Sequence, residues 1–317
     1  MVNLASYVYQ TARARRSRIT ITEQSGNSLS DYQVKITLGP GWDGWSYVSE
    51  DGSDLYFMDE NDNPLYFWIE SWDLANQQAT IWVKVPSIPA SSSVTIYMHY
   101  GGANPYASYN NASAVFDFYD DFLDLSSWRV VRTGGSGYAI AEDGYLKLKS
   151  TSSATTVDTP VTLSNIAIDA KVHVVNGGEV FSIAATLGEY RTDGQPNDAY
   201  RGGWNGWAGS PNRQRIVKHI GGTGTDLAAT SEGLLANGET YLLTFIFRSP
   251  DLKMANDGAV ILTASDTTFT EFSYLALYAW ATSEYWIDWV RVRKYVEPEP
   301  GISIAPSVPL MKSLDLM

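Results

Sequence analysis

The feature that most constrains the fold is a regular succession of short β-favouring runs between residues 18 and 100. Clusters of Gly, Pro, Asn, Asp and Ser separate the runs, and no amphipathic helical pattern lies between them. Short strands with turn signals at even spacing are typical of antiparallel sandwiches. The pattern therefore predicts an all-β domain, and its runs are RITIT, YQVKITL, DLYFM, LYFWIES, ATIWVKV and VTIYMHY.

The second half of the chain repeats this organisation. Two hairpins are indicated by EDG and NDG turns, at Asp143–Gly144 and Asp257–Gly258. With the other β-favouring runs they make about a dozen strands, enough for a two-sheet jelly roll. The sequence thus predicts an all-β chain of two antiparallel, jelly-roll-like β-sandwich domains in tandem, followed by an extended Pro-rich C-terminal tail.

Composition shifts place the boundaries. We expect a lead-in over residues 1–17, a sandwich over 18–100, a linker over 101–115, a second sandwich over 116–296 and a tail over 297–317. The linker prediction rests on the nearly charge-free sequence GGANPYASYNNAS, and the tail prediction on its prolines, which favour an extended chain.

The tail combines a proline-stiffened spacer with apolar residues that a free tail would expose to water. We therefore expect residues 302–317 to pack on a sister subunit or another partner; a disordered tail is the alternative. The apolar residues are Ile302, Ile304, Val308, Leu310 and Met311.

Charge and cysteine content exclude several classes of protein. The net charge of −13 repels nucleic-acid phosphates, so no DNA or RNA partner is expected. The chain has no cysteine, which excludes disulfides, thiol nucleophiles and zinc–thiolate sites.

No apolar stretch is long enough to span a membrane, and the first residues lack a signal-peptide pattern. Export by another route and assembly into a virion inside a cell are both compatible with this pattern.

The stretch DENDNPLYFWIE at 59–70 spells part of a calcium loop, with Asp59, Asn61 and Asn63 in ligand positions. Pro64, however, occupies the position where such a loop needs Gly, and both flanks favour strands rather than helices. Asx side chains and Pro between two such runs indicate a hairpin turn. The sequence therefore predicts a hairpin here and no calcium switch.

Residues 13–120 resemble domain of unknown function 2341, which occurs in prokaryotic and especially archaeal surface proteins. The resemblance is carried by RITITEQSGNSLSDYQVKITL, DGSDLYFMDENDNPLYFWIESWD, ATIWVKVPSIPASSSVTIYMHYG and VFDFYDDF. It implies a β-sandwich in an extracellular or envelope setting and no particular activity.

Residues 116–295 resemble the concanavalin A-like lectin and glucanase sandwiches. The resemblance is carried by DFYDDFLDLSSWRV, EDGYLKLKS and EYWIDWVRVRKY. It implies a curved sheet whose concave face or rim loops hold glycans. The Glu-x-Asp-x-x-Glu strand of the glucanase branch is absent, so hydrolysis is not expected.

The candidate ligand site is the segment DAYRGGWNGWAGSPNRQR at 198–215. Indoles offer an apolar face to sugar C–H groups, and Arg, Asn and Asp offer partners for hydroxyl groups. The alternative is a folded-back loop whose tryptophans cover the end of a sheet. The ligand-binding residues expected in this segment are Trp204, Trp207, Arg201, Asn205 and Asp198.

Trp280 ends the run YLALYAW and could reach a rim of the same site, with a core position as its alternative. No cofactor and no catalytic residue are expected. A structural calcium at Asp120, Asp121 and Asp288 is an open alternative to capped strand ends.

The sequence as a whole favours a non-catalytic surface protein that recognises a glycan, a surface glycoprotein or another partner surface. Two alternatives stay open: a structural subunit of a spike, turret, pilus or capsid, and a glycoside hydrolase or lyase of the glucanase clan. Paired carboxylates at a defined separation would be the mark of a glycosidase.

Overall fold

The structure is a computed structural model that describes residues 14–177, 180–204, 213–232 and 235–310. The chain divides into two compact units, one formed by residues up to 117 together with those from 296 onward, the other by residues 118–295. Both units are built from antiparallel strands. The expected all-β fold class is confirmed.

Seven strands and two short helical turns make up most of the first unit. A 3₁₀ turn covers Ala107–Tyr109, and a short helix, α1, covers Ala112–Val115. The strands are β1 (Arg15–Thr22), β2 (Leu29–Leu38), β3 (Tyr56–Asp59), β4 (Pro64–Leu65), β5 (Phe67–Asp73), β6 (Gln78–Ile88) and β7 (Ser93–Tyr100).

The second unit contains thirteen strands among the residues described. They are β8 (Phe118–Asp120), β9 (Arg129–Arg132), β10 (Tyr138–Glu142), β11 (Tyr145–Leu163), β12 (Ile166–Asn176), β13 (Phe181–Thr186), β14 (Ala199–Trp204), β15 (Arg215–Ile220), β16 (Thr223–Ala229), β17 (Thr240–Arg248), β18 (Asp251–Asn256), β19 (Ala259–Ser265) and β20 (Phe272–Lys294).

The tail, which we expected to pack on a sister subunit or another partner, pairs with its own chain. It returns to the first unit as β21 (Gly301–Ile304) and β22 (Val308–Pro309), which pair antiparallel with β1. Ile302 and Ile304 face Ile21 and Ile19 across this pairing and pack against the unit's own core. This chain itself therefore covers Ile302 and Ile304, which we expected a partner to cover. Val308 is 50% exposed, and residues 311–317 lie outside the described part.

Two sheets enclose the core of the first unit. One has the order β21-β1-β7-β3-β4, with β22 also on β1, and the other has the order β2-β6-β5. Alternate residues of facing strands point inward, as a half-buried strand requires. The inward set includes Ile19, Ile21, Val34, Ile36, Ile81, Val83, Ile96 and Met98.

The hairpin expected at residues 59–70 is present. β3 and β4 pair through Phe57 with Leu65, and the carboxylate of Asp59 closes the turn. It accepts hydrogen bonds from the backbone N–H groups of Asn61 at 2.8 Å and Asn63 at 2.9 Å. The Asx chemistry of the sequence is thus used to hold a β-turn.

The segment expected as a linker belongs to the first unit. The backbone N–H of Asn111 donates to the carbonyl of Phe67 at 2.7 Å, and the Asn111 side chain caps α1. Phe116 is buried, with its ring centroid 5.7 Å from that of Trp68 and 5.6 Å from that of Trp82. These contacts are made with residues of β5 and β6. The composition of the segment, which suggested a linker, gives no information about them.

Two long strands organise the second unit. The first half of β20 pairs with β13 on one side and with the second half of β11 on the other. The second half of β20 pairs with β12 and with the first half of β11. The direction changes near Ala281, whose φ is 52°. A front sheet therefore runs β16-β15-β14-β13-β20-β11-β9, and a back sheet runs β19-β18-β17-β12-β20-β11-β10. Inner side chains of both sheets form one core.

Both hairpins expected in this unit are confirmed. Asp143–Gly144 joins β10 to β11, and Asp257–Gly258 joins β18 to β19. All four residues have positive φ, between 48° and 82°, as a two-residue type I′ turn requires. In the described part of the chain, no helix has the length and apolarity needed to cross a membrane.

Candidate ligand-binding site

A cavity of about 250 Å³ opens on the outer face of the front sheet of the second unit. It lies over β14, β15 and β20, and the segment between β13 and β14 supplies one wall. The lining residues are Val180, Gln195, Arg201, Arg215, Val217, His219, Gly224, Asp226, Tyr278 and Trp280.

Strand alternation explains why these side chains meet. In β14 the side chains of Tyr200 and Trp204 point into the core, so Arg201 points outward between them. In β15 Ile216 points inward, which places Val217 and His219 on the outer face. Arg201 is directly opposite Val217 in the antiparallel register, so the two strands bring their outward residues together.

Two glycines in β14 make room on either side of the sheet. A Cβ atom on Gly202 would lie 3.1 Å from side-chain carbons of Phe245 and Met254, so this glycine permits close packing in the core. A Cβ atom on Gly203 would lie 2.7 Å from Nη1 of Arg201. Gly203 therefore leaves the space that the guanidinium occupies.

Arg201 is the central polar residue of the cavity and is only 6% exposed. Its Nε–H donates to Nε2 of His219 at 3.0 Å, and its Nη1 donates to Oγ of Ser182 at 3.2 Å. Its guanidinium carbon lies 5.7 Å from the ring centroid of Tyr278, within cation–π range. Burial lowers the pKa of Arg201, but a guanidinium stays charged at neutral pH.

His219 is held in its neutral form. Burial and the positive charges of Arg201, Arg191 and Arg215 lower the pKa of His219 to about 3. Because its Nε2 accepts the hydrogen bond from Arg201, the proton of the neutral ring is on Nδ1. Nδ1 is buried and has no hydrogen-bond partner among the described residues. His219 thus orients Arg201 without adding a second charge.

Tyr278 and Trp280 form the opposite wall from the outward positions of β20. The ring of Tyr278 packs with Ala154, Ala184 and Ala276, and Trp280 lies against this group partly exposed. The Tyr278 hydroxyl is buried and has no hydrogen-bond partner in the described part of the chain. The wall therefore offers an indole surface next to an unpaired hydroxyl.

The rim carries an ion pair that partly offsets the positive charge inside. Nη1 of Arg215 lies 3.2 Å from Oδ1 of Asp226, and Asp226 also pairs with Arg213 at 3.5 Å. Asp226 is the single acidic residue among the described residues lining the cavity. With Arg201 and Arg215 both cationic and His219 neutral, the lining carries a net positive charge.

The segment at residues 187–198 covers the neighbouring part of the outer face. The hydroxyl of Tyr190 donates to Oδ2 of Asp158 at 2.8 Å, and Arg129 also pairs with that carboxylate. The backbone N–H of Arg191 donates to the carbonyl of Gln195 at 2.8 Å, which holds Gln195 at the cavity edge. This segment confines the cavity to the β14–β15 side of the sheet.

Two of the residues expected from sequence line the cavity, namely Arg201 and Trp280. Trp204 does not, because it is fully buried on the core face of β14 and its Nε1 donates to Oδ1 of Asn256 at 2.6 Å. Its expected role in ligand contact is therefore wrong. Residues 199–204 form a strand, and its alternation turns Trp204 inward.

Asp198 also lies outside the cavity lining. Its Oδ1 accepts a hydrogen bond of 3.0 Å from the backbone N–H of Gly221, which supports the turn between β15 and β16. The expected contact of Asp198 with a ligand stays a prediction. Asn205 and Trp207 fall outside the described residues.

Sequence reasoning missed His219, Tyr278 and Arg215. Period-two alternation puts Arg215 and His219 on the same face of RIVKHI, and Tyr278 and Trp280 on the same face of YLALYAW. Alternation alone does not say which face of a strand points into the core. The signal that could have found them was the pairing of β14 with β15, which puts Arg201 beside His219.

Two of the three acids considered for a structural calcium, Asp120 and Asp288, have protein partners. Asp120 accepts hydrogen bonds from the backbone of Phe122 at 2.7 Å and from Nε1 of Trp128 at 3.0 Å. Asp288 pairs with Lys171 at 2.8 Å. Across the described ranges no cluster of three or more acidic or histidine side chains is arranged to hold a metal.

Part of the first unit matches a known family. A model of the domain of unknown function DUF2341 matches residues 51–131, which confirms the resemblance expected for the first domain. Among curated proteins, uncharacterized protein 562 of Sulfolobus islandicus rod-shaped virus 1 is 43% identical over 70 residues. That match covers 18% of this chain and spans 12% of the relative's length.

Solved structures similar to this chain include sandwiches of the kinds expected for the second domain. The carbohydrate-binding module CBM66 from Bacillus subtilis is 13% identical, with a TM-score of 0.42, over 54% of this chain and 97% of that one. A galectin-like protein of unknown function from Bacillus subtilis is 13% identical, with a TM-score of 0.47, over 56% and 94%. Bacillus licheniformis beta-glucanase is 18% identical, with a TM-score of 0.42, over 56% and 97%.

Proposed function

We propose that the second unit is a non-catalytic glycan-binding sandwich and that the cavity around Arg201 is its contact site. The proposal rests on two features of one cavity. Its lining contains a partly exposed indole, that of Trp280, and hydrogen-bond donors without a protein partner, such as the hydroxyl of Tyr278. Sugars present both C–H faces and hydroxyl groups, so they match a site that has an aromatic wall and a few convergent polar groups.

The arrangement of acids supports binding rather than hydrolysis. A glycosidase of the usual kind needs two carboxyl groups facing each other across the scissile bond. The lining described here carries Asp226, whose carboxylate is engaged by Arg213 and Arg215. The setting proposed for this binding is the surface of a cell or virion, where glycans are displayed, and a relative from a rod-shaped virus is compatible with it.

A glycan array followed by calorimetry on the best ligand tests the proposal. Trp280→Ala removes the indole wall and should weaken binding by about 2 kcal/mol, or about 30-fold, as a central aromatic contact does. The matched control is Trp286→Ala. Trp286 is an outward, partly buried tryptophan of the same strand, but it lies on the back sheet, beside Glu284.

The two variants separate a binding site from a general effect on folding. Wild-type affinity in Trp286→Ala together with weakened binding in Trp280→Ala supports the site. Equal losses in both variants, or an array on which the wild-type protein retains no glycan, would contradict it.

A further inference from the structure

We infer that the cavity recognises the anionic group of an acidic sugar, with Arg201 and Tyr278 as its donors. This inference rests on the proposed glycan-binding function and specifies the class of glycan. The shared chemistry is a negatively charged oxygen group, which a sugar can carry as a carboxylate or as a sulfate ester.

The hydrogen bonds of Arg201 leave most of its donors unused. A guanidinium has five N–H groups arranged as a planar fork. His219 takes the Nε–H and Ser182 takes one Nη1–H, so three N–H groups make no hydrogen bond within the described part of the chain. No carboxylate of the described residues forms an ion pair with Arg201, although Asp169, for example, neutralises two other arginines.

A buried cation without a counter-ion is costly, because its lost hydration is not repaid by a charged partner. The cavity adds a second unpaired donor, the buried hydroxyl of Tyr278, whose ring lies under the guanidinium. Buried polar groups are normally hydrogen-bonded, so two such groups facing one space indicate a ligand that satisfies both. A planar anion can accept two N–H groups of Arg201 and the hydroxyl at once.

The local charge matches this class of ligand. Arg201 and Arg215 line the cavity against the one carboxylate of Asp226, so this part of the lining is net positive. The chain as a whole carries −13. An acidic glycan would be repelled by most of the surface and attracted to this cavity, which favours one orientation of binding.

The size of the cavity indicates how much of the ligand enters. Sites for drug-sized ligands have volumes of about 300–1,000 Å³, and this cavity of about 250 Å³ is smaller. It accommodates one charged sugar residue rather than an oligosaccharide. Trp280 at the wall supplies the apolar surface for the ring of that residue, which a free inorganic anion would not use.

The experiment compares three matched sugars on the full chain by calorimetry: methyl glucoside, methyl glucuronide and methyl glucoside 6-sulfate. We expect an acidic sugar to bind at least tenfold more tightly than the neutral one, and the two acidic probes distinguish carboxylate from sulfate. Arg201→Gln should lower the affinity for the preferred acidic sugar by about 30-fold or more and abolish the preference over the neutral sugar. Lys171→Gln removes a positive charge from the back sheet and should bind as the wild type does.

Tyr278→Phe keeps the inference testable if Arg201→Gln does not fold. The hydroxyl has no partner in the described protein, so its loss should leave the melting temperature unchanged or raised. Affinity for the acidic sugar should fall about tenfold. Equal affinity for neutral and acidic sugars would overturn the inference and leave the proposed function standing. No binding of any sugar, here or on the glycan array, would overturn both.

Discussion

The Nε–H group of Arg201 donates a 3.0 Å hydrogen bond to Nε2 of His219, and both side chains are almost completely buried. The contact requires an unprotonated Nε2, because an imidazolium would present a second donor to the guanidinium. One strand therefore positions the cation and the next strand holds its orientation through a neutral ring.

This neutral histidine should make the stability of the protein depend on pH. Burial, with the nearby arginines, lowers the pKa of His219 from 6.5 to about 3. Between these values the unfolded chain binds one more proton than the folded protein, so the free energy of unfolding falls as the pH drops below 6.5. The contribution of His219 is about 1.4 kcal/mol per pH unit in this window, or about 2 kcal/mol between pH 7 and pH 5.

Urea unfolding of the wild type and of His219→Gln at pH 7 and pH 5 measures this contribution. Glutamine can still accept the hydrogen bond from Arg201 but does not titrate. The variant should lose less stability than the wild type on acidification, by about 2 kcal/mol. Lys171→Gln should follow the wild type, and an equal loss in His219→Gln would contradict the prediction.

Gly203→Ala should displace Arg201 while leaving the fold intact. The added methyl group would lie 2.7 Å from Nη1, at the far end of the Arg201 side chain rather than against backbone. We expect weaker sugar binding, by about tenfold, with little change in melting temperature. Gly221→Ala is not a suitable control because that residue has a positive φ of 54°. Gly41→Ala in the first unit provides the comparison, because a Cβ atom there would meet no other atom within 4 Å.

Trp204→Ala should reduce stability strongly. The indole is fully buried against Phe181, and its N–H is satisfied by Asn256. Removing such a side chain costs about 3–5 kcal/mol through lost burial and the cavity left behind. Denaturant unfolding should show this loss, whereas the partly buried Trp286→Ala should lose much less. A Trp204→Ala protein as stable as the wild type would restore the surface role that the sequence suggested.

The tail should stabilise its own chain. Ile304→Asp places a charge against the core of the first unit and should cost about 2 kcal/mol or more in unfolding free energy. Val308→Asp is the control, because that side chain is 50% exposed in β22. Similar unfolding midpoints for the two variants would show that β21 contributes nothing to the core.

Deleting residues 301–317 tests the same pairing at the level of the assembly. The deletion removes β21 and β22 and exposes the edge of β1, and a free strand edge pairs readily with other chains. Light scattering should therefore detect a larger mass or aggregation. Contacts of the tail with a sister subunit, as expected from the sequence, would give the opposite result, a lower mass after the deletion.

Local chemistry explains what could be predicted of the fold. The EDG and NDG turns and the Asx-rich turn at Asp59 lie where the sequence placed them, because turn residues act on their own backbone. Runs such as RIVKHI became strands for the same reason: side-chain alternation is a short-range property. Arg201 and Trp280 were found through residue type, since guanidinium and indole groups suit ligand contact.

The sequence by itself determined the all-β class, the main hairpins and the chemical types available for a site. Only the tertiary structure decided which face of each strand became the core, because alternation has two equivalent phases until neighbouring strands are in place. That choice buried Trp204, turned Arg201 outward and brought it beside His219. The tertiary structure also decided that Ile304 lies opposite Ile19. Pairing between segments far apart in the chain depends on free strand edges and exposed apolar surface, which a local sequence pattern does not reveal.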